Sequence, residues 1–411
     1  MSRRVVIIGA GHAGGSVAAL LRQYGWEGEI VLIGEEAIAP YQRPPLSKAY
    51  LKDDADTESL KLRPDSFYAE NDIHLRLGRH VDIIDPVAGV AAFSNGGEVE
   101  YDILILATGS RARRLTVPGA NLKGLHELRS VADAEGLRAA IGPRRRLAIV
   151  GAGYVGLEAA ASARAHGAEA VVIERENRVL ARVAAEPLSR FFEAYHRARG
   201  VDILTGASVA AFLGGEDGFV RAVQLSDGTE IACDAALVGV GAVANDELAR
   251  EAGLACDDGI VVDQTARTSD PSIYAIGDVT RRPMPLYGDR AHRLESVPNA
   301  LEQAKQAAAA ITGRAPPPPE VPWFWSDQYD LKLQIAGVPF DSDRIVVRGD
   351  MDAARFSLCH LQGDRLVCVE ACNAPADFMA GKLLIGRGAR VDLDRLADAS
   401  LPLKTLELPP A

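Results

Sequence analysis

The stretch Leu147–Glu174, LAIVGAGYVGLEAAASARAHGAEAVVIE, constrains the fold more than any other part of the chain. An apolar strand (Leu147–Val150) runs into Gly151, Gly153 and Gly156, then an alanine-rich helix, then a second strand (Ala170–Ile173) closed by Glu174. This is the order of a dinucleotide-binding unit. The first glycine makes a tight turn, the second lets the backbone approach a pyrophosphate, and the third lets the helix pack on the strand. The helix start, with Tyr154 and Val155 in its first turn, offers unpaired N–H groups and the positive end of the macrodipole to phosphates. Glu174 falls about 20 residues past the glycines, where a ribose-binding carboxylate belongs.

A second copy opens the chain. Val5–Ile8 enters Gly9, Gly11 and Gly14, with His12 and Ala13 between them, followed by a helical stretch (Ser16–Tyr24), a strand (Ile30–Ile33) and Glu35. Two such units require two dinucleotides, or one unit is a relic of duplication. Flavin and nicotinamide are the pair that hydride transfer needs bound together, with the flavin expected in the N-terminal copy.

At 411 residues the chain has room for two or three domains, and its 48% hydrophobic and 25% charged residues are ordinary for a globular protein. The 45 basic and 56 acidic side chains leave a net charge of −11, which disfavours nucleic acid and anionic membranes as partners. MSRRVVIIGA runs straight into a strand and a glycine turn rather than a cleavable signal, and no apolar run approaches the roughly 20 residues that span a bilayer. A cytoplasmic protein is expected. The five cysteines (Cys233, Cys256, Cys359, Cys368, Cys372) are odd in number and scattered, so they are expected to be reduced and structural, with no metal site.

Between and beyond the two copies lie other candidate sites. In APYQRPPLSKAYL, Pro44 and Pro45 stiffen the chain against helix formation and Ser47 is placed to cap a following short helix. Arg43 and Lys48 are then either rigid cations near a phosphate or flavin, or incidental charges on a surface loop. Three apolar strands end at small residues where α/β sheets bind ligands: Tyr101–Leu106 at Ala107, Thr108, Gly109 and Ser110, Ala235–Val240 at Gly241, and Ser272–Ile276 at Gly277 and Asp278. Asp278 reads as an acceptor for a ribityl hydroxyl or as a turn cap. Val297–Ile311 reads as a long helix with Pro298 in its first turn, and Ala315–Pro322 as a stiff linker. Short strands and a helix near Asp377–Ile385 then make a small α+β domain.

Together these motifs resemble a known family. Two glycine fingerprints, RPPLSK, ATGS, YAIGD, SVPNALEQA and FWSDQ occur here in the order found in FAD-dependent, NADH-oxidising ferredoxin reductases, and the resemblance covers essentially the whole chain. It implies an α/β fold of two Rossmann-like domains plus a C-terminal α+β domain. The expected boundaries are 1–114 with 241–320 for FAD, 115–240 for NAD and 321–411 for the last domain. FAD is expected on Gly9, Gly11, His12, Ala13, Gly14, Glu35, Arg43, Lys48, Val81, Ala107, Thr108, Gly109, Arg129, Asp278 and Val297. NAD is expected on Gly151, Gly153, Tyr154, Val155, Gly156, Glu158, Glu174 and Gly241. Lys48 and Glu158 are expected to pair across the two nucleotide domains beside the nicotinamide, as the catalytic residues. Trp325 is a candidate for the electron route, with Trp323 assigned to core packing.

NADH is favoured over NADPH because Glu174 accepts a ribose 2′-OH and repels a 2′-phosphate, while Arg175 and Arg178 leave NADPH open. Arg281, Arg282, Arg290 and Arg293 read as a loop cluster that either docks an acidic [2Fe–2S] ferredoxin or is simply solvated. A P450 or Rieske oxygenase is expected downstream of that ferredoxin, and the chain itself is expected as a monomer or weak homodimer. A disulfide reductase or NADH peroxidase would need a cysteine near residues 40–50, whereas the first is Cys233. Rubredoxin reduction and a signalling role like that of apoptosis-inducing factor are the alternatives.

Overall fold

The structure is a computed structural model that describes residues 3–409. The chain forms two compact units. The first comprises Met1–Gln42, Leu60–Arg111 and Val243–Phe324; the second comprises Arg43–Ser59, Ala112–Ala242 and Trp325–Ala411.

The first unit is built on a five-stranded parallel sheet in the order Ile273–Ala275, Ile103–Leu106, Arg4–Ile8, Glu29–Gly34, Ile73–Leu77. These strands are near-continuous apolar runs (RVVII, EIVLIG, ILIL) because both faces are covered. One face packs under helices His12–Gln23 and Val297–Ile311, with Val17, Leu21, Ala304 and Ala307 in its core. Of the four arginines expected in a loop, Arg281, Arg282 and Arg290 stand instead on an antiparallel hairpin, Thr280–Met284 with Arg290–His292, and Arg293 directly follows it.

The second unit repeats the plan. Its parallel sheet runs Val201–Leu204, Glu169–Ile173, Arg146–Val150, Ala235–Val238, Leu125–His126, and an antiparallel three-stranded sheet packs on one face through Phe212, Val220 and Val223. The C-terminal part is a five-stranded antiparallel sheet ordered Trp323–Gln328, Leu331–Gly337, Arg365–Cys372, Arg355–Gln362, Arg344–Asp350. Helix Pro375–Gly386 lies on it so closely that a Cβ on Gly381 would come within 2.6 Å of Val369. The segment Cys368–Cys372 is buried strand, as its sequence reads, and all five cysteines are free thiols.

Two departures from sequence expectation concern the segment after Gln42. Pro44–Ser47 forms a 3-10 turn, which tolerates proline in its first positions because those N–H groups would be unpaired anyway. Ser47 caps nothing: it is buried, and its hydroxyl and carbonyl both bond within the second unit. Tyr50 Oη donates to Glu135, Arg138 to Asp53, and His166 Nε2 lies 2.8 Å from Leu51 O. Residues 43–59 therefore pack with the helices of the second unit.

Helix Glu186–Arg197 joins the C-terminal sheet to this unit. Phe191 meets Phe356 edge-on at 4.9 Å, and the buried Glu370 accepts from Ala185 N at 3.0 Å, at the helix start. His196 on the same helix is fully buried and bonds Gln328 at 2.7 Å; burial lowers its pKa from 6.5 to about 4. The folded protein therefore binds fewer protons than the unfolded chain between those values, so stability rises with pH through this window and is lost as pH falls from 6.5 toward 4. The full window corresponds to about 3 kcal/mol. Thermal melts from pH 7 to 4.5 should show a steeper fall in Tm for the wild type than for His196→Gln, which cannot take up a proton.

Candidate active site

In both parallel sheets the glycine turn leaves the central strand at its carboxyl end, and the three glycines of each copy differ in what surrounds them. A Cβ on Gly9 would lie 2.2 Å from Ala107 O, and one on Gly14 only 1.9 Å from Gly9 O; for Gly151 and Gly156 the corresponding distances are 2.3 Å to Gly239 O and 2.1 Å to Gly151 O. Gly9 and Gly151 also have φ of +113° and +103°, which other residues rarely adopt. The middle glycines, Gly11 and Gly153, face open space with no atom within 4 Å. They are also the N-caps of helices His12–Gln23 and Tyr154–Ala165, neither of which has a side-chain cap or an acid in its first turn. By contrast, helix Val131–Ala140 carries a full capping box from Ser130 and Asp133. A helix start left uncapped beside such a cradle is suited to a phosphate.

Around the first cradle, Asp278 stands on the turn Gly277–Val279 and accepts from Ser110 Oγ at 3.3 Å. Gln303 clamps this turn, accepting from Gly277 N and Thr280 Oγ1, both at 2.8 Å. Burial lowers the pKa of His12, and the charge of Asp278 acts in the opposite direction. His12 Nδ1, Asn299 Oδ1 and Gln303 Nε2 are buried with no hydrogen-bond partner among the described residues. Orphaned polar atoms of this kind are expected where a ligand supplies the partner. Thr108 and Asn245 exchange two hydrogen bonds, of 2.7 and 2.9 Å, which pin the ATGS segment at the sheet edge. Glu35 closes its strand as an exposed side chain 3.3 Å from His80, Val81 is a buried core residue, and Val297 follows the N-cap Ser296.

At the second cradle, Glu174 is tied to the glycine turn, accepting from Ala152 N at 2.7 Å and from Glu176 N at 2.9 Å. Val155 is 43% exposed in the first helical turn, open to cover by a ligand. Gly241 has φ of +106° and accepts from Arg113 N. Arg178 is engaged with Ala181 O, Ala184 O and Ser189 Oγ, so its guanidinium is directed at the chain's own backbone rather than toward a phosphate; Arg175 pairs with Glu176.

Lys48 and Glu158 meet. Glu158 is 3% exposed; its Oε2 accepts from Lys48 Nζ at 2.8 Å and Ser47 Oγ at 2.5 Å, and its Oε1 accepts from Ser326 Oγ at 2.5 Å. Lys48 also donates to Pro44 O at 3.2 Å. Because residues 43–59 pack with the second unit, this pair lies within one unit. Arg43 donates to Arg129 O at 2.5 Å in the same unit. Trp325 is half-buried on strand Trp323–Gln328, on the face opposite Ser326, since side chains alternate along a strand.

The arginine cluster needs correction. Arg282 is buried in an ion pair with Glu302 at 2.7 Å, which removes it from any docking surface. Arg293 pairs with Glu295 and Asp258, and Arg281 pairs with Asp257 at 3.2 Å. Sequence reasoning read Ser47 only as a helix cap and missed Asn245, Gln303, Ser326 and Gln328. Three of these lie inside the strings SVPNALEQA and FWSDQ, which the family resemblance had already singled out.

Comparison with known proteins fits this geometry. Residues 3–304 match the family model described as pyridine nucleotide-disulphide oxidoreductase, and residues 323–407 match one described as reductase C-terminal. The chain is 52% identical over 405 residues to a probable ferredoxin reductase, CtmF, of Castellaniella defragrans, covering 98% of this chain and 99% of that protein. It is 43% identical to putidaredoxin reductase CamA of Pseudomonas putida, covering 98% and 96% respectively. The chain belongs to the ferredoxin reductase family. Its backbone superposes with a TM-score of 0.96 on a chain from the crystal structure of a covalent putidaredoxin reductase–putidaredoxin complex, at 43% identity and 98% coverage of both. Membership of this reductase family implies FAD and NAD(P)H, and the two open cradles, the uncapped helices and the orphaned polar atoms fit them.

For this reductase fold the glycines make separable predictions. Gly11→Ala should give a folded protein with unchanged far-UV circular dichroism but a several-fold lower flavin content on purification. Gly14→Ala, whose methyl would overlap backbone, should lower soluble yield and Tm sharply.

Proposed function

We propose that the chain is the NADH-oxidising ferredoxin reductase of a cytoplasmic electron-transfer chain, delivering single electrons to a [2Fe–2S] ferredoxin that serves a P450 or Rieske oxygenase. The carrying observation is the buried Lys48–Glu158 pair in a chain with two dinucleotide cradles. FAD, when bound, accepts a two-electron hydride and releases electrons one at a time. The protein's part is to bind, orient and exclude water. Lys48 has three N–H donors, of which Glu158 and Pro44 take two, leaving one for the nicotinamide or flavin. Glu158 fixes that ammonium and excludes water around it.

The thiols support electron exit by a route other than a disulfide. Burial raises the pKa of every cysteine, to about 11 for Cys233 and about 12 for Cys359 and Cys372, which suppresses the thiolate that disulfide chemistry needs. Trp325 is proposed on the route to the acceptor. Arg281 and Arg290 are proposed as docking cations for an acidic partner. NADH is the proposed donor, since the carboxylate of Glu174, held at the glycine turn by Ala152 N, would accept a ribose 2′-OH and repel a 2′-phosphate, and Arg178 is engaged elsewhere.

The test is NADH-dependent cytochrome c reduction by the purified flavoprotein, with and without a small [2Fe–2S] ferredoxin. A ferredoxin-dependent rise of tenfold or more is expected, together with kcat/KM for NADH at least tenfold above that for NADPH. Fast flavin bleaching with no response to any ferredoxin would move the partner to rubredoxin or another carrier. Charge reversal at Arg281 and Arg290 should raise the KM for ferredoxin several-fold and reduce its salt dependence.

A further inference from the structure

The carboxylate of Glu158 receives a hydrogen bond from the C-terminal sheet that the paired lysine does not explain. Ser326 Oγ lies 2.5 Å from Glu158 Oε1 and 3.1 Å from Gln328 Nε2. Gln328 Oε1 lies 2.7 Å from His196 Nε2, and His196 Nδ1 lies 3.4 Å from Tyr329 Oη. Ser47, Glu158, His196, Ser326 and Gln328 are all buried.

The direction of this line is set at its carboxylate end. Glu158 only accepts, so Ser326 must donate to it, and the serine oxygen then accepts from the amide of Gln328. That turns Gln328 Oε1 toward His196, whose Nε2 must carry the hydrogen, and leaves Nδ1 to accept from Tyr329. Flipping the amide would make Ser326 donate to Gln328 and set two bare oxygens 2.5 Å apart at Glu158. Burial keeps His196 neutral, with a pKa of about 4, and pushes Tyr329 up to about 12, so one hydrogen pattern holds across the neutral range. The line ends on a carboxylate and passes through an amide, so it orients and polarises rather than conducting protons.

We propose that Ser326, its hydroxyl aimed by Gln328 and His196, is a positioning residue for Glu158, through which the C-terminal sheet holds the Lys48–Glu158 pair in its working geometry. This rests on the reading of Lys48 and Glu158 as the pair that orients the nicotinamide. With Ser47 and Lys48 on Oε2 and Ser326 on Oε1, the carboxylate is gripped on both oxygens. Removing Ser326, the one donor to Oε1 among the described residues, lets the carboxylate rotate about its last torsion and carries the lysine ammonium with it.

The experiment compares Ser326→Ala, Ser326→Thr, Gln328→Leu and Glu158→Gln holoenzymes by rapid mixing with NADH, by NAD+ affinity from calorimetry and by thermal melting. Ser326→Ala should lower the limiting rate of flavin bleaching at saturating NADH about tenfold, the equivalent of one charge-assisted hydrogen bond. Its NAD+ dissociation constant should change less than threefold and its Tm by only a few degrees. Ser326→Thr, which keeps the hydroxyl, should recover most of the rate, and Gln328→Leu should show a smaller loss of about threefold. Slowing in Glu158→Gln but not in Ser326→Ala overturns the proposal and leaves the pair standing. Equal losses in Ser326→Ala and Ser326→Thr overturn it too, because packing rather than the hydroxyl would then matter. If Ser326→Ala does not fold, Gln328→Leu decides, and an unchanged rate there overturns the proposal. If Glu158→Gln itself changes neither rate nor affinity, the pair reading fails and this inference with it.

Discussion

A carboxylate taken out of water is tolerated only when its charge is paired and its lone pairs are filled. Glu158, on the helix that follows the second glycine turn, imposes that requirement on the second unit. Its partners come from two separate places in the chain: residues 47 and 48 supply a hydroxyl and an ammonium, and residue 326 supplies a second hydroxyl. Meeting its hydrogen-bond demand draws the Pro44–Ser47 turn and the first strand of the C-terminal sheet onto one helix. Ser162, one turn further along that helix, fastens the same turn by donating to Ser47 O.

The dinucleotide cradles obey a different constraint, backbone against backbone. The first and third glycines of each copy are forced by carbonyl oxygens about 2 Å from where a Cβ would stand, whereas a Cβ on the middle glycine would meet open space. The fold thus keeps the turn tight with two glycines and leaves open space beside the middle one. The helices that follow the two glycine turns start without a side-chain cap, whereas Val131–Ala140 and Val297–Ile311 are capped by Ser130 and Ser296.

The buried Arg282–Glu302 pair illustrates how composition misleads. Four arginines within 13 residues of sequence read as a positive surface, yet on a hairpin alternate side chains face opposite ways, and Arg282 turns inward to a glutamate of helix Val297–Ile311. Glu302 in turn accepts from Glu320 N, so this ion pair also anchors the proline-rich segment that reads as a simple linker. Where charges lie along a strand, pairing across the fold decides which of them solvent or a partner protein can reach.

By itself the sequence determined what local chemistry determines. The two strand–glycine–helix–acid units, the helix at Val297–Ile311 with proline in its first turn, the buried strands around Cys368 and the family all follow from short-range pattern. Lys48 and Glu158 were legible only through resemblance, because residues 110 positions apart show no spacing that pairs them. The tertiary structure alone decided that residues 43–59 pack with the second unit, that Ser47 serves a carboxylate instead of a helix cap, and that Ser326 and Gln328 link His196 to Glu158. A hydroxyl or amide in the sequence has many local partners open to it. Only burial, by removing water as the alternative, dictates which distant group it must satisfy.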